Sequence, residues 1–372
     1  MEMKLNMTLI WLCILLCSSC QQNSNSQAEK GALKRNQQET KKVVANPITM
    51  KLVPHYILDR EGSGMTAITC LIPEGWSIQD RLYWEYQDAT LPIRYEGTLQ
   101  SENGRFKIFA YPDIRSVYSE GPTGSSGYPP PQNILIGLKD FIKRHRQGIQ
   151  YQITEEKIIN RSGPSDHTVQ GTSFRTHSTG GLVRIRYKEN QNDIEEEFYG
   201  NLEITNSLSQ GYATLSGIIW WASGLYSCKA PIGELEKCRR IALTVKSSSK
   251  LTLAFYNKFI QVTQLLSDAV YQRIYAAGQI SKIISQTNDQ ISKTISDSYW
   301  NTQKSNERSN QQFSDYLRGV DRYSDGQNNI QLPSGYTNAW VNDKGEYLMS
   351  ETQSYDPNQE LHGNWKQLDK RH

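Results

Sequence analysis

A chain of 372 residues with a formal net charge of +3 is close to neutral for its size, so no strong electrostatic case exists for nucleic acid as a partner. Hydrophobic residues make up 37% and charged residues 21%, which suffices for one large or two ordinary folded domains.

The chain opens with an apolar run, Met7–Leu16, "MTLIWLCILL". At about 1.5 Å per residue it falls well short of a ~30 Å hydrocarbon core, but it has the length of a secretory signal's apolar segment, with Lys4 as the basic residue ahead of it. Ser18, Ser19 and Cys20 follow. A Cys17–Cys20 redox pair would need a folded βαβ setting, and a metal site would need further ligands nearby; the flanking sequence offers neither. The layout resembles the signal of bacterial lipoproteins, whose cleavage box reads aliphatic, small, small, Cys. Cys17 stands where Leu is usual, and an ordinary signal peptide cut nearby is the alternative. The resemblance implies a signal peptide over 1–19, cleavage before Cys20, diacylglycerol on its sulfur and a further acyl chain (palmitate class) on the new amino terminus. Two or more chains hold a protein stably at a bilayer. Residues 20–46 are rich in Gln, Asn, Ser and Lys and read as a disordered tether. Gln21, with no acidic residue beside it, resembles lipoproteins sorted to an outer membrane, facing the periplasm.

From Ile48 short runs with β-branched and aromatic bias alternate with turn residues, including "MTAITCLIP", "GRFKIFAYP" and "LVRIRYK". In the last, Val183, Ile185 and Tyr187 share one face and Arg184 and Arg186 the other. "NQND" then turns the chain to place Glu196 or Glu197 opposite the arginines. Ser119–Gln132 reads as a Gly/Pro loop. A helix follows, with Ile134, Leu135, Leu138, Phe141 and Ile142 on one side and the basic cluster Lys143–Arg146 at its C-terminal end, where cations suit the helix dipole. Another helix runs from about Glu234 to Val245. Strands with interspersed helices define an α+β sandwich over 47–250, mainly antiparallel sheet with packed helices. The "P-x-G-W" turn at Pro73–Trp76, in "AITCLIPEGWSIQDRLYWEY", and "FKIFAYPD" are similar to uncharacterised bacterial envelope proteins and, more loosely, to the PsbP-type α/β sandwich. That resemblance implies a fold only, one whose members bind partners rather than catalyse.

Leu251 to Leu317 carries no Pro, and apolar residues recur every three or four positions; "QISKIIS" at 279–285 returns as "QISKTIS" at 290–296. An eleven-residue spacing keeps one stripe on one helix face. Residues 251–318 thus form a long amphipathic helix or helical hairpin, packed along the sandwich or protruding as a homo-oligomerising coil. Residues 319–372 close with a β-hairpin around "NDKG", where Tyr336, Trp340 and Tyr347 either cap the sheet or form an aromatic surface for sugar or peptide.

Beyond the leader the cysteines are Cys70, Cys228 and Cys238. Cys228 and Cys238 bracket a short Pro/Gly turn, and they either form a disulfide or stay as two structural thiols. "SSSK" at Ser247–Lys250 fits the Ser-x-x-Lys pattern of penicillin-binding enzymes but lacks the companion motifs, and His167 and His177 sit in a Ser/Thr-rich region. No catalytic residue, metal ligand or cofactor is assigned. The reading is a membrane-anchored envelope lipoprotein acting as a non-enzymatic binding or scaffold protein, with envelope proteins or peptidoglycan as partners. The alternative is an envelope hydrolase whose site is assembled from distant residues.

Overall fold

The computed structural model describes residues 49–86, 91–121, 124–169, 172–209, 215–268, 293–317, 319–324 and 329–371. The leader, Cys20 and the tether lie outside the described residues, as do 269–292 with the first seven-residue repeat. Among the described residues the architecture is α+β, with strands in antiparallel sheets of six, nine and three.

Strands β1 (Thr49–Leu58) and β2 (Thr66–Pro73) pair antiparallel in the first sheet. The Pro73–Trp76 turn is a corner between sheets. Gly75 sits at φ 79, a left-handed conformation that favours glycine, and the Trp76 N–H donates to the Pro73 carbonyl at 3.1 Å. The chain then enters the nine-stranded sheet through β3 (Ser77–Trp84), β4 (Ile93–Gln100) and β5 (Lys107–Ala110). The small-residue stretch after Ser119, expected as loop, contributes a short hairpin of β6 (Ile114–Gly121) and β7 (Gly124–Ser126). Its pairing with β11 supplies order that the local composition does not.

Four consecutive long strands carry the sheet: β8 (Tyr151–Val169), β9 (Thr172–Glu189), β10 (Asn192–Ser209) and β11 (Leu215–Pro231). The expected turn between β9 and β10 is two residues, Asn190 at φ 48 and Gln191 at φ 67, both left-handed as tight hairpin turns require. β8 forms an edge, and three register irregularities interrupt its pairing with β9. Such bulges break a flat template that would otherwise recruit another chain.

Alternation along these strands builds a core on each face. On one, Val183, Ile185, Phe198 and Leu202 meet helix α1 (Ile134–His145) through Ile134, Leu138, Phe141 and Ile142. The Asn133 side chain caps α1 by accepting the Ile136 N–H at 3.0 Å. Gly181 lets α1 lie close to the sheet, since a Cβ there would come within 2.8 Å of Ile134. On the other face, Leu182, Tyr199, Tyr226 and Cys228 meet helix α2 (Leu235–Ser248). α2 also packs on β2 and on β14 (Asn329–Pro333), so it is a central layer between the large sheet and the two smaller ones.

The expected C-terminal hairpin is β15 (Asn338–Val341) with β16 (Tyr347–Ser350). β16 pairs with β1, so the end of the chain extends the sheet that its first described strand begins. Lys51 pins this junction, with its ammonium 2.9 Å from Glu74 and 3.3 Å from Glu346. Of the long helical segment, α3 (Leu253–Asp268) and α4 (Lys293–Leu317) are described. Phe259, Val262 and Leu266 of the expected stripe are buried, and Phe255 lies 5.7 Å from the Trp84 ring. Tyr256 meets α4 through Tyr299 at 5.5 Å and Ser298 at 3.0 Å. The described part therefore packs along the body.

Candidate binding cleft

A cleft of about 750 Å3 opens where the six-stranded sheet, the three-stranded sheet and the C-terminal end of α2 meet. This is within the range of pockets that hold small ligands, about 300–1,000 Å3. Pro54 and Tyr56 of β1 form part of its floor, with Tyr347 of β16. Alternate residues of a strand share a face, and Leu52 is in register with Tyr347, so these side chains rise from one side of the sheet. Tyr56 keeps 56% of its surface exposed. Gly345, in the β15–β16 turn, lies against Pro54 and brings Lys344 to the rim. The three-stranded sheet, ordered β14, β13 (Val320–Ser324) and β18 (Asp369–Arg371), supplies the other side. Arg371, Arg322 and Gln331 are register partners across these strands, and all three line the cleft. The Gln331 Oε1 is buried and accepts no hydrogen bond among the described residues. Among the described residues the cleft has four cationic side chains, Lys250, Arg322, Lys344 and Arg371, and one carboxylate, Glu307, which lies 3.4 Å from the Lys250 ammonium.

The "SSSK" stretch reaches this cleft, but its hydroxyls are engaged in ending α2. Ser247 Oγ donates to the Thr244 carbonyl at 3.1 Å. Ser248 Oγ donates to the Val245 carbonyl at 3.1 Å and accepts the Leu71 N–H at 3.0 Å, tying α2 to β2. Cys70 also borders the cleft, and burial pushes its thiol up to about 11, which keeps it protonated and unreactive at neutral pH.

The aromatic residues of the C-terminal hairpin do not form one surface. Trp340 is in register with Leu348 and packs with Trp365 on one face of the sheet. Tyr347 is in register with Val341 on the opposite face, and Tyr336 lies in the turn before β15. Strand parity therefore does not extend from Trp340 to Tyr336. Of the three, only Tyr347 lines the cleft. Cys228 and Cys238 are both fully buried and stand as free thiols. Burial pushes the Cys228 thiol well above its usual range, and a hydrogen bond with Cys238 adds to the shift. The Cys238 sulfur lies 3.6 Å from the Lys229 carbonyl, next to Cys228. His167 stacks on Phe174 at 5.1 Å in the β8–β9 ribbon.

Glu196 or Glu197 is the residue expected opposite Arg184 and Arg186; the structure sets Glu195 and Glu197 there and turns Glu196 to the other face. The consecutive carboxylates Glu195, Glu196 and Glu197 alternate across β10. Arg186 pairs with Glu195 at 2.7 Å and Arg184 with Glu197 at 2.9 Å on the α2 side. Glu196 points to the α1 side, fully buried, and accepts from Arg146 Nε at 2.8 Å, Ser227 Oγ at 2.7 Å and Tyr187 OH at 2.9 Å. The Arg146 guanidinium lies 5.3 Å from both the Phe109 and Phe198 ring centres. Arg146 belongs to the basic cluster that looked like a solvated helix end. No signal within its own stretch names its partner.

No family model matches the sequence, and no curated protein matches it. Among solved structures the chain is similar to LpqN, described as involved in cell envelope biogenesis of Mycobacterium tuberculosis. The match covers 54% of this chain and 91% of that one at 14% identity, with a TM-score of 0.19, too low to carry an argument. Among the described residues no helix is long and apolar enough to cross a membrane.

Proposed function

We propose that the protein is a lipid-anchored, non-enzymatic binding or scaffold protein of a bacterial cell envelope, held through Cys20 at the periplasmic face of an outer membrane. The leader's layout, from the apolar run to Ser18, Ser19 and Cys20, supports the anchor. The observation that carries the binding role is the cleft itself. It gathers cations, amides and tyrosines from both ends of the chain, while the hydroxyl of Ser247 is spent on its own helix. Envelope proteins or peptidoglycan are the partner classes. Metabolic labelling with a palmitate analogue tests the anchor: label is expected on the native protein and absent from Cys20→Ala. Undiminished labelling of that variant would refute the site. Crosslinking in the host then identifies partners, and covalent capture of Ser247 by a penicillin or fluorophosphonate probe would replace this reading with the hydrolase.

Cys228 and Cys238 stand as neighbouring thiols in the structure; we propose that an oxidising compartment joins them, closing a short loop and stabilising it by about 2–3 kcal/mol. Mass spectrometry without reductant should find the tryptic peptides of both cysteines linked, and separate alkylated peptides would refute the bond.

A further inference from the structure

We infer that a second pocket, on the opposite face of the six-stranded sheet from the cleft, binds an uncharged N-acetylated amino sugar whose acetamido oxygen accepts from the Trp365 indole. The site is separate from the cleft and independent of the anchor. It encloses about 760 Å3, enough for a small oligosaccharide. Lys51, Leu348 and Trp340 are register partners in one row across β1, β16 and β15, so their side chains share this face. Trp340 and Leu348 pack on Trp365, and the Tyr355 ring stands 5.7 Å from that of Trp340.

Trp365 keeps only 7% of its surface exposed, and its Nε1 is buried with no acceptor among the described residues. A buried N–H without a partner is rare and costly, so one left open beside a pocket points to a ligand. The backbone around it is fully tied. The Trp365 N–H donates to Asn358 Oδ1 at 2.8 Å, and Asn358 Nδ2 donates to the Trp365 carbonyl at 2.9 Å. These bonds close a loop whose Leu361, His362 and Gly363 line the pocket with Trp365 itself. Gly363 sits at φ 141, and a Cβ there would stand 3.3 Å from Nε1. The indole N–H thus lies under the smallest cover a chain can provide, and a slight shift of this glycine opens it to the pocket.

The rest of the lining narrows the ligand. Lys51 is spent on Glu74 and Glu346, while Asp343 and Glu360 carry no ion pair among the described residues. Lys344 is the other ammonium of the described lining, so four carboxylates face two ammonium groups and an anion is repelled. A cation would be drawn in but offers the indole no acceptor. The ligand is therefore neutral, with a carbonyl for Trp365, an apolar group for Leu348 and Leu361, and hydroxyls for the carboxylates. An acetamido group carries carbonyl and methyl together, and a pyranose supplies the hydroxyls and an apolar face for Tyr355. An N-acetylated peptide supplies the first pair and lacks the rest.

Isothermal titration of the full chain in detergent micelles with chitotriose tests this. Three controls each lack one feature: cellotriose has no acetamido group, the glucosamine trimer replaces it with a cation, and N-acetylalaninamide has no sugar ring. Chitotriose is expected to bind saturably and at least roughly tenfold more tightly than any control. Trp365→Phe, which keeps a ring and removes the N–H, should weaken it by roughly tenfold, and so should Tyr355→Leu, which decides the matter where Trp365→Phe fails to fold. No binding of chitotriose, a control that binds equally well, or unchanged affinity in Tyr355→Leu or in folded Trp365→Phe would each overturn the proposal. Such a failure, with palmitate labelling at Cys20 and crosslinked partners still found, would leave the anchored binding protein standing.

Discussion

Replacing Arg146 with alanine is expected to cost about 3–5 kcal/mol of stability, because it strands Glu196 as a fully buried carboxylate with only two hydroxyl donors. The loss has two parts. The ion pair disappears in a low-dielectric setting between two phenyl rings, and the cavity left by the guanidinium removes contacts with Phe109 and Phe198. Removing both charges together separates these effects. Arg146→Met with Glu196→Leu should recover much of the loss, since an apolar pair of similar volume carries no desolvation cost. Urea unfolding of Arg146→Met, Glu196→Leu and the pair, analysed as a cycle, measures the coupling. A cost below about 1 kcal/mol for Arg146→Ala, the range of a surface pair, would show that Glu196 is not held by this arginine.

The same cluster shows where local sequence information stops. Alternation in "LVRIRYK" disclosed which face of β9 is apolar, and hairpin pairing gave Glu197, though not Glu195, as an opposed glutamate, because both features repeat within a few residues. The apolar stripe of α1 was legible for the same reason. The partner of Glu196 lies fifty positions away in a cluster whose composition suits a helix end equally well. Only the docking of α1 onto the sheet distinguishes Arg146 from its neighbours. The cleft is more remote still, since it joins β1 to β18 and needs two sheets and a helix end to exist. Its opposed arginines stand in separate stretches, each unremarkable by itself. In the C-terminal hairpin, closeness in sequence groups Tyr336 with Trp340 and Tyr347, but Tyr336 precedes the first residue of β15, where no strand geometry fixes its face.

Acidification to about pH 5 should stabilise the protein relative to pH 8, against the usual loss of carboxylate ion pairs. Two buried acids carry this expectation. Burial pushes Glu203 from 4.5 up to about 7, and Asp113 from 3.8 up to about 6 despite the Gly224 N–H that its carboxylate accepts at 3.0 Å. Because the folded pKa lies above the unfolded one, the native state holds more protons than the unfolded chain across this interval. Stability therefore falls as pH rises from about 4 to 7. At about 1.4 kcal/mol per unit, each group contributes up to about 3 kcal/mol, fully present below its unfolded pKa and lost once pH exceeds its folded one. Glu346 acts in the opposite sense at the acid end. Burial raises its pKa, but hydrogen bonds from Asn342 and Lys51 outweigh this and hold it below 4.5, so its contribution disappears as pH falls through that lowered value. The maximum is expected near pH 5. Urea midpoints measured from pH 4 to 8 should trace this dome, and Glu203→Gln should flatten its descent between pH 5 and 7. A native protein that instead gains stability steadily up to pH 8 would mean that Glu203 and Asp113 are ionised and compensated in the folded state.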